Sequence, residues 1–364
     1  MRNQPFLLRP SGKDYLWGGK RLNDEFAKNI DMEPLAETWE CSTHPDGPSY
    51  VDSGNFQGMT LSEVLKIHPE YLGTHVIDLL RYDTHVTYNS SIELTDSLTK
   101  SCPDTTRCAM PSPSDIDLPI LIKFIDAKKD LSVQVHPTDE YARIHENGQR
   151  GKTEMWYVLD AAKDAELIYG LKHDCDRETI RRAILNGTIE KYLQRVPIKK
   201  GDLFMIEAGT IHAIGAGALI AEIQENSNLT YRLYDYDRTD KNGQKRELHI
   251  EKALDVANLH SLAEPKQPLR VLKYRQGIAM ELLTSCKYFE VYRMIVNTER
   301  RQVVHYQSDQ VSFRILLCVN GCGTINCEGE AGHLKFYKGD CLFVPANSVR
   351  FSIHGQAQFL DVRG

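Results

Sequence analysis

The run 131–136 reads Leu-Ser-Val-Gln-Val-His, so Ser132, Gln134 and His136 alternate with aliphatic residues. Side chains two apart on a β-strand share a face. Gln134 and His136 can therefore reach one point, and Pro137 ends the strand. Taken alone the pair reads as structural, because a buried histidine commonly just bonds a neighbour. Glu154 adds weight. It follows the turn Gly151-Lys152-Thr153 and leads the apolar run 155–159. A carboxylate buried there needs a cation or several donors; at a solvated strand end it needs neither. Lys152 stands two residues earlier, on the same face if that stretch is extended. His212 leaves the Gly209-Thr210 turn and enters another apolar run. Gln134, His136, Glu154 and His212 together make a nitrogen–oxygen shell suited to a catalytic zinc with room for water or substrate. Such a mixed shell does not exclude iron, manganese or cobalt.

A fifth element adds charge. The stretch 221–238 begins with an alternation that points Glu222 one way and Ile223 the other. Arg232 lies between tyrosines further on. It is either a surface residue on a hairpin or a fixed cation facing a cavity.

The elements that must hold these groups are mostly short strands, cut by Gly, Pro, Asn and Asp and rich in Val, Ile, Tyr and Phe. Helical patterns are few. The clearest covers 176–196, with Asp176 as N-cap and Ile180, Ala183, Ile184 and Leu193 at helical intervals. A shorter one covers 60–73, where Thr60 and Glu63 form a capping-box pattern. A third covers 250–260. Many strands with helices at the margins predict a mainly β protein, a sandwich or jelly roll. Residues 260–269 hold two prolines and no periodicity and read as a linker. Residues 83–117 are polar, dense in Ser and Thr, and read as a surface insertion. There is also an internal echo. Aligning Gly201-Asp202 with Gly339-Asp340 sets His212 against Arg350. This predicts two related β domains, 1–260 with the site and 265–364 without a metal.

The totals narrow the function. A formal net charge of -6 argues against a nucleic-acid or membrane surface, which needs a basic excess. The first dozen residues have too short an apolar run for a signal peptide, so a cytoplasmic location is expected. The nine cysteines fit reduced thiols; Cys318, Cys322 and Cys327 lack paired zinc-ribbon spacing. The runs 311–319 and 341–344 read as core, as do Trp39 and Trp156, and His44 reads as a turn histidine.

Longer motifs go further. LSVQVHPTDEYA, GKTEMWYVLDA and GDLFMIEAGTIHAIGAGALIAEIQENSNLTYRLYDYDR occur in that order. With YLWGGKRL, AETWECSTHPDGPSYV and LPILIKFIDAKKDLSVQVHP, the chain resembles type I phosphomannose isomerases of the short bacterial form. The likeness is close over 1–73 and 118–260 and looser beyond. It implies a mainly β fold of two cupin-type jelly-roll domains with a few peripheral helices. It further implies one zinc ion per chain and interconversion of mannose 6-phosphate with fructose 6-phosphate. The family's metal ligands fall on Gln134, His136, Glu154 and His212, and its active-site arginine on Arg232. Lys152, Lys123, Ser132 and Glu222 match further pocket residues. Two features depart from the family: the insertion at 83–117, and Asn228 where Asp is common.

These types suit the chemistry. Moving a carbonyl between C1 and C2 requires removing a carbon-bound proton while a neighbouring oxygen gains charge. A cation holds that enediolate, and a general base carries the proton. Arg232, Lys152 and Glu222 are the expected catalytic groups, with Glu222 one candidate base. Lys123, Ser132, Lys152 and Arg232 are the expected substrate contacts. The expected partner is a small sugar phosphate, with no nucleic acid and no membrane; the oligomeric state stays open. A sugar-binding cupin without turnover would not need all these groups. A cupin oxygenase would favour iron and a richer histidine shell.

Overall fold

The structure, a computed structural model, describes residues 3–78, 116–239, 242–263, 265, 267–300, 302–329 and 332–364. Most of the proposed insertion, 83–115, lies outside the described residues. The fold is mainly β, in three sheets. Among the described residues no helix is long and apolar enough to cross a membrane.

A six-stranded sheet runs in the order Leu203–Ile206, Glu154–Ala161, Ala218–Glu225, Ile120–Ala127, Glu37–Cys41, Ser11–Lys13. A five-stranded sheet runs Tyr231–Tyr234, Val133–Val135, His212–Ile214, Glu166–Leu171, Leu193–Pro197. Aliphatic side chains from both meet between them, Ile125, Val158 and Ile220 from one and Leu167 and Ile214 from the other. The central Ala218–Glu225 strand is buried on both faces. Leu219, Ala221 and Ile223 pack outward against the C-terminal sheet, while Ala218 and Ile220 face the five-stranded sheet. Glu222 follows the inward alternation.

The C-terminal sheet has ten strands. It includes Phe6–Arg9 and Tyr50–Val51 from the start of the chain, because Phe6 pairs with Phe343 and Leu8 with Cys341 and Val51. The chain thus enters the C-terminal sheet before it builds the other two. Ile120, Ile122, Phe124, Met155 and Tyr157 from the six-stranded sheet share one core with Val291, Ile315, Leu317, Leu360 and Val362. The core readings of 311–319, 341–344, Trp39 and Trp156 fit their burial.

Three helix expectations change in length. The helix foreseen over 176–196 is corrected to Arg177–Leu185, capped by Asp176, which accepts from the Thr179 amide. Asn186-Gly187 ends it, because Gly187 takes φ 65°. Leu193 then belongs to a strand paired with Glu166–Leu171. The 60–73 segment is helical over Leu61–Ile67 with the full Thr60–Glu63 capping box, and Pro69 begins a separate short turn of 3-10 helix. The third helix covers Ile250–Val256.

The internal echo has a physical basis. Asp202 accepts from the Lys199 amide at 2.9 Å and Asp340 from the Tyr337 amide at 2.8 Å. Each follows a glycine at positive φ, 88° for Gly201 and 102° for Gly339. Each then starts a buried strand, Leu203–Ile206 and Cys341–Val344.

Phe343 links the N-terminal strand to this sheet, with ring centroids 5.2 Å from Phe6 and 5.6 Å from Phe313. Phe343→Ala is expected to cost about 3–5 kcal/mol. Urea unfolding should show a lower midpoint with an unchanged slope.

Candidate active site

Two facing rows of side chains build the site, one from each sheet. In the five-stranded sheet Gln134 has His212 on one side and Arg232 on the other, as direct cross-strand partners. In the six-stranded sheet Glu222 is flanked by Lys123 and Trp156, and Lys123 in turn by Trp39. His136 follows the Val133–Val135 strand, and Glu154 opens its own. Between the rows lies a cavity of about 240 Å³. Lys123, Ser132, Gln134, Lys152, Glu222 and Arg232 line it.

His136, Glu154 and His212 are fully buried and offer ligand atoms that all lie within 4.8 Å of one another. Glu154 Oε2 is 3.6 Å from His136 Nε2, and Oε1 is 3.4 Å from His212 Nε2. Each imidazole is oriented from behind. His136 Nδ1 donates to the Leu229 carbonyl at 2.9 Å and His212 Nδ1 to the Thr210 carbonyl at 2.8 Å. Both Nε2 lone pairs then face inward, as metal-ligating histidines require. Burial depresses both histidines, His136 well below its ordinary range and His212 to about 4. They are neutral, hence available as ligands.

Gln134 Nε2 lies 3.3 Å from His212 Nε2. Turning the amide by 180° exchanges Nε2 for Oε1 at the same point, since the two ends are nearly identical in shape. Glu154 gives the strongest indication of a cation. Among the described residues neither of its oxygens receives a hydrogen bond of good geometry, and only one has an ion-pair partner. Lys152 Nζ approaches Oε2 to 2.6 Å as an ion pair. Burial and the nearby Glu222 charge raise the Glu154 carboxyl to about 7 despite that lysine. A buried carboxylate between two neutral imidazoles is stabilised by a divalent ion, so the donor set fits a metal. Cys318, Cys322 and Cys327 form no such group: the first is buried and the second exposed.

Behind the ligands the charges alternate. Glu222 Oε1 lies 3.1 Å from Lys123 Nζ and 3.9 Å from Lys152 Nζ, and its Oε2 accepts from Trp156 Nε1 at 3.0 Å. Burial would raise Glu222, but the two lysines outweigh it and hold the carboxyl down at about 2. Arg232 is half-buried and donates from Nε to Ser132 Oγ at 3.2 Å and from Nη1 to the Glu247 carbonyl at 2.9 Å. All nine residues singled out from the sequence thus gather at one place.

Sequence reasoning passed over Glu37, Tyr15 and Arg246, which also line the cavity. Glu37 accepts from Trp39 Nε1 at 2.8 Å and lies 3.9 Å from Lys123. A signal existed, since an acidic residue two before a tryptophan in a buried strand needs a donor. His44 meets the Trp39 ring edge-on.

GmuF of Bacillus subtilis, described as a probable mannose-6-phosphate isomerase, is 35% identical over 98% of both chains. Mannose-6-phosphate isomerase ManA of the same organism is 34% identical over 98% of both. This chain belongs to the type I phosphomannose isomerase family. The family's catalytic-domain description, "Phosphomannose isomerase type I, catalytic domain", matches residues 6–88, and "Mannose-6-phosphate isomerase, cupin domain" matches 279–363. The crystal structure of the Bacillus subtilis mannose 6-phosphate isomerase is similar throughout, with TM-score 0.80, 32% identity and 99% of each chain covered. The cupin fold expected from the sequence is therefore the observed one. Asn228 donates to Asp46 Oδ2 at 2.8 Å at the cavity edge.

In this member of the phosphomannose isomerases the turn that presents Lys152 and Glu154 is held by two carboxyls. Gly151 N donates to Asp139 Oδ1 at 3.0 Å and Thr153 N to Glu225 Oε1 at 2.7 Å. A Cβ on Gly151 would lie 2.4 Å from the Asp139 amide nitrogen, so only glycine fits. Burial and the adjacent Asp139 charge raise Glu225 to about 8. Protonated Glu225 is the form that belongs to the folded state, so the stability it contributes is present below about pH 4.5 and lost as pH rises through 8. Glu225→Gln keeps both contacts without the proton. Its urea midpoint should fall less than that of the parent between pH 5.5 and 8.5.

Proposed function

We propose that the chain is a zinc-dependent aldose–ketose isomerase that interconverts mannose 6-phosphate and fructose 6-phosphate through an enediol(ate). The observation that carries this reading is the pair of facing rows. A three-to-four-donor metal cradle and a lysine–glutamate–lysine array look into the same cavity, with a half-buried arginine at one end.

Gln134, His136, Glu154 and His212 would hold one zinc ion. When bound, it supplies Lewis-acid stabilisation to sugar oxygens as they gain charge. Everything else is done by side chains. Arg232, held by Ser132 and the Glu247 carbonyl, is fixed before substrate arrives and loses little freedom in stabilising negative charge. Lys152 and Lys123 donate to sugar oxygens from the opposite wall. Glu222 is ionised and oriented by Trp156, so it can accept the proton from one carbon and return it to the next. Its basicity rises when Lys123 and Lys152 turn their hydrogen bonds from it to the substrate. The reading is of a soluble enzyme acting on a small sugar phosphate in the cytoplasm, its chemistry confined to the N-terminal part.

Two measurements test it. In a coupled assay with mannose 6-phosphate, Arg232→Ala should lower kcat by about 10²–10³-fold, with circular dichroism and metal content unchanged. Chelation should abolish turnover and added zinc should restore it. Turnover in R232A close to that of the parent would remove the arginine from the mechanism.

A further inference from the structure

The cavity's cations are not equally compensated. Lys123 and Lys152 both lie within 4 Å of carboxylates, Glu222 for each, with Glu37 and Glu154 as well. Arg232 differs. Its side chain bonds neutral acceptors, the Ser132 hydroxyl and the Glu247 carbonyl, and among the described residues no carboxylate forms an ion pair with it. A second guanidinium, Arg246, lines the same cavity. The chain brings the two together. Beyond Tyr231–Tyr234 it doubles back through the Thr239–Lys245 bridge, and the His249 amide donates to the Arg232 carbonyl at 2.8 Å.

Arg246 is held from one edge. Its Nε donates to Asp235 Oδ2 at 2.7 Å and its Nη2 to Oδ1 at 2.5 Å. Among the described residues no hydrogen bond engages Nη1. Asp235 also takes Arg238, which donates onward to the Asp130 carbonyl and does not line the cavity. One carboxylate thus serves two guanidiniums while Arg232 has none, which leaves this end of the cavity with excess positive charge. A planar guanidinium pinned along one edge presents its other donors in a fixed direction, the arrangement suited to phosphate oxygens.

We propose that Arg246 is a substrate-positioning residue that binds the phosphate dianion beside Arg232, leaving that arginine its role toward the sugar oxygens, and that Asp235 aims it. This rests on the sugar-phosphate reading above. That contact would set the register of the sugar, with its reacting carbons toward Glu222 and Lys152. Arg246 would thereby select phosphorylated over neutral sugars without touching the reacting atoms.

The test compares R246A and R246K with R238A in the full-length, metal-loaded protein. For R246A the KM for mannose 6-phosphate should rise about 10–100-fold, the range for hydrogen bonds to a charged group, with kcat changed far less. Competitive inhibition by inorganic phosphate should weaken by a similar factor. R246K, which keeps the charge but not the fork, should fall between, and R238A should match the parent in both readings. An unchanged KM and phosphate inhibition in R246A would overturn the proposal. If R246A does not fold, R246K decides, and parental values in it would equally overturn the proposal. Absence of any turnover in the parent would refute the isomerase reading instead. Calorimetry with inorganic phosphate then still tests the phosphate contact, which stands if R246A or R246K binds phosphate more weakly and falls if neither does.

Discussion

The structure depends on how a buried carboxylate is neutralised. Glu154 is fully buried, and neutral imidazoles stand 3.4 and 3.6 Å from its two oxygens. One lysine reaches it, and a second carboxylate, Glu222, competes for that lysine. Uncompensated burial of such a charge costs several kcal/mol or more. A divalent ion held by Glu154 and the histidines would relieve the conflict and would leave Lys152 free to face the cavity. The Leu229 and Thr210 carbonyls satisfy each buried Nδ1–H and thereby leave both Nε2 lone pairs available to such an ion.

Positioning follows from the two-sheet plan. One wall supplies Gln134, His212 and Arg232 in register, and the other supplies Lys123, Glu222 and Trp156. The six-stranded sheet is backed by the C-terminal sheet through a continuous apolar core, and the C-terminal part also reaches the site's scaffold through Tyr288, whose hydroxyl donates to Asp139 Oδ2 at 2.9 Å. Asp139 in turn holds the Gly151 amide. The C-terminal part of the chain thus bears on the turn that presents Lys152 and Glu154.

Much of this was legible in the residues. The alternation through Ser132, Gln134 and His136 marked a strand with one polar face, and the Thr60–Glu63 and Asp176 caps marked helix starts. Stops were harder to read. The 176–196 pattern continued past Gly187 because Leu193 happened to fall at a helical interval, whereas its burial comes from a strand. Long-range pairing left no local trace either: nothing in Phe6–Arg9 says that its partner is Cys341–Val344. Arg246 was missed for a related reason. A charged residue in a polar loop reads as solvated until the loop is seen to fold back beside Arg232. Glu37 was passed over because Trp39 reads as core, although a carboxylate two residues before it on a buried strand needs a donor such as the indole nitrogen.

Zinc K-edge absorption spectroscopy on protein purified with zinc tests the central claim most directly. The account predicts one zinc per chain in a nitrogen–oxygen shell at about 2.0–2.2 Å, including imidazole scattering. A sulfur shell at about 2.3 Å, or a protein that turns over fully while holding no metal, would contradict it.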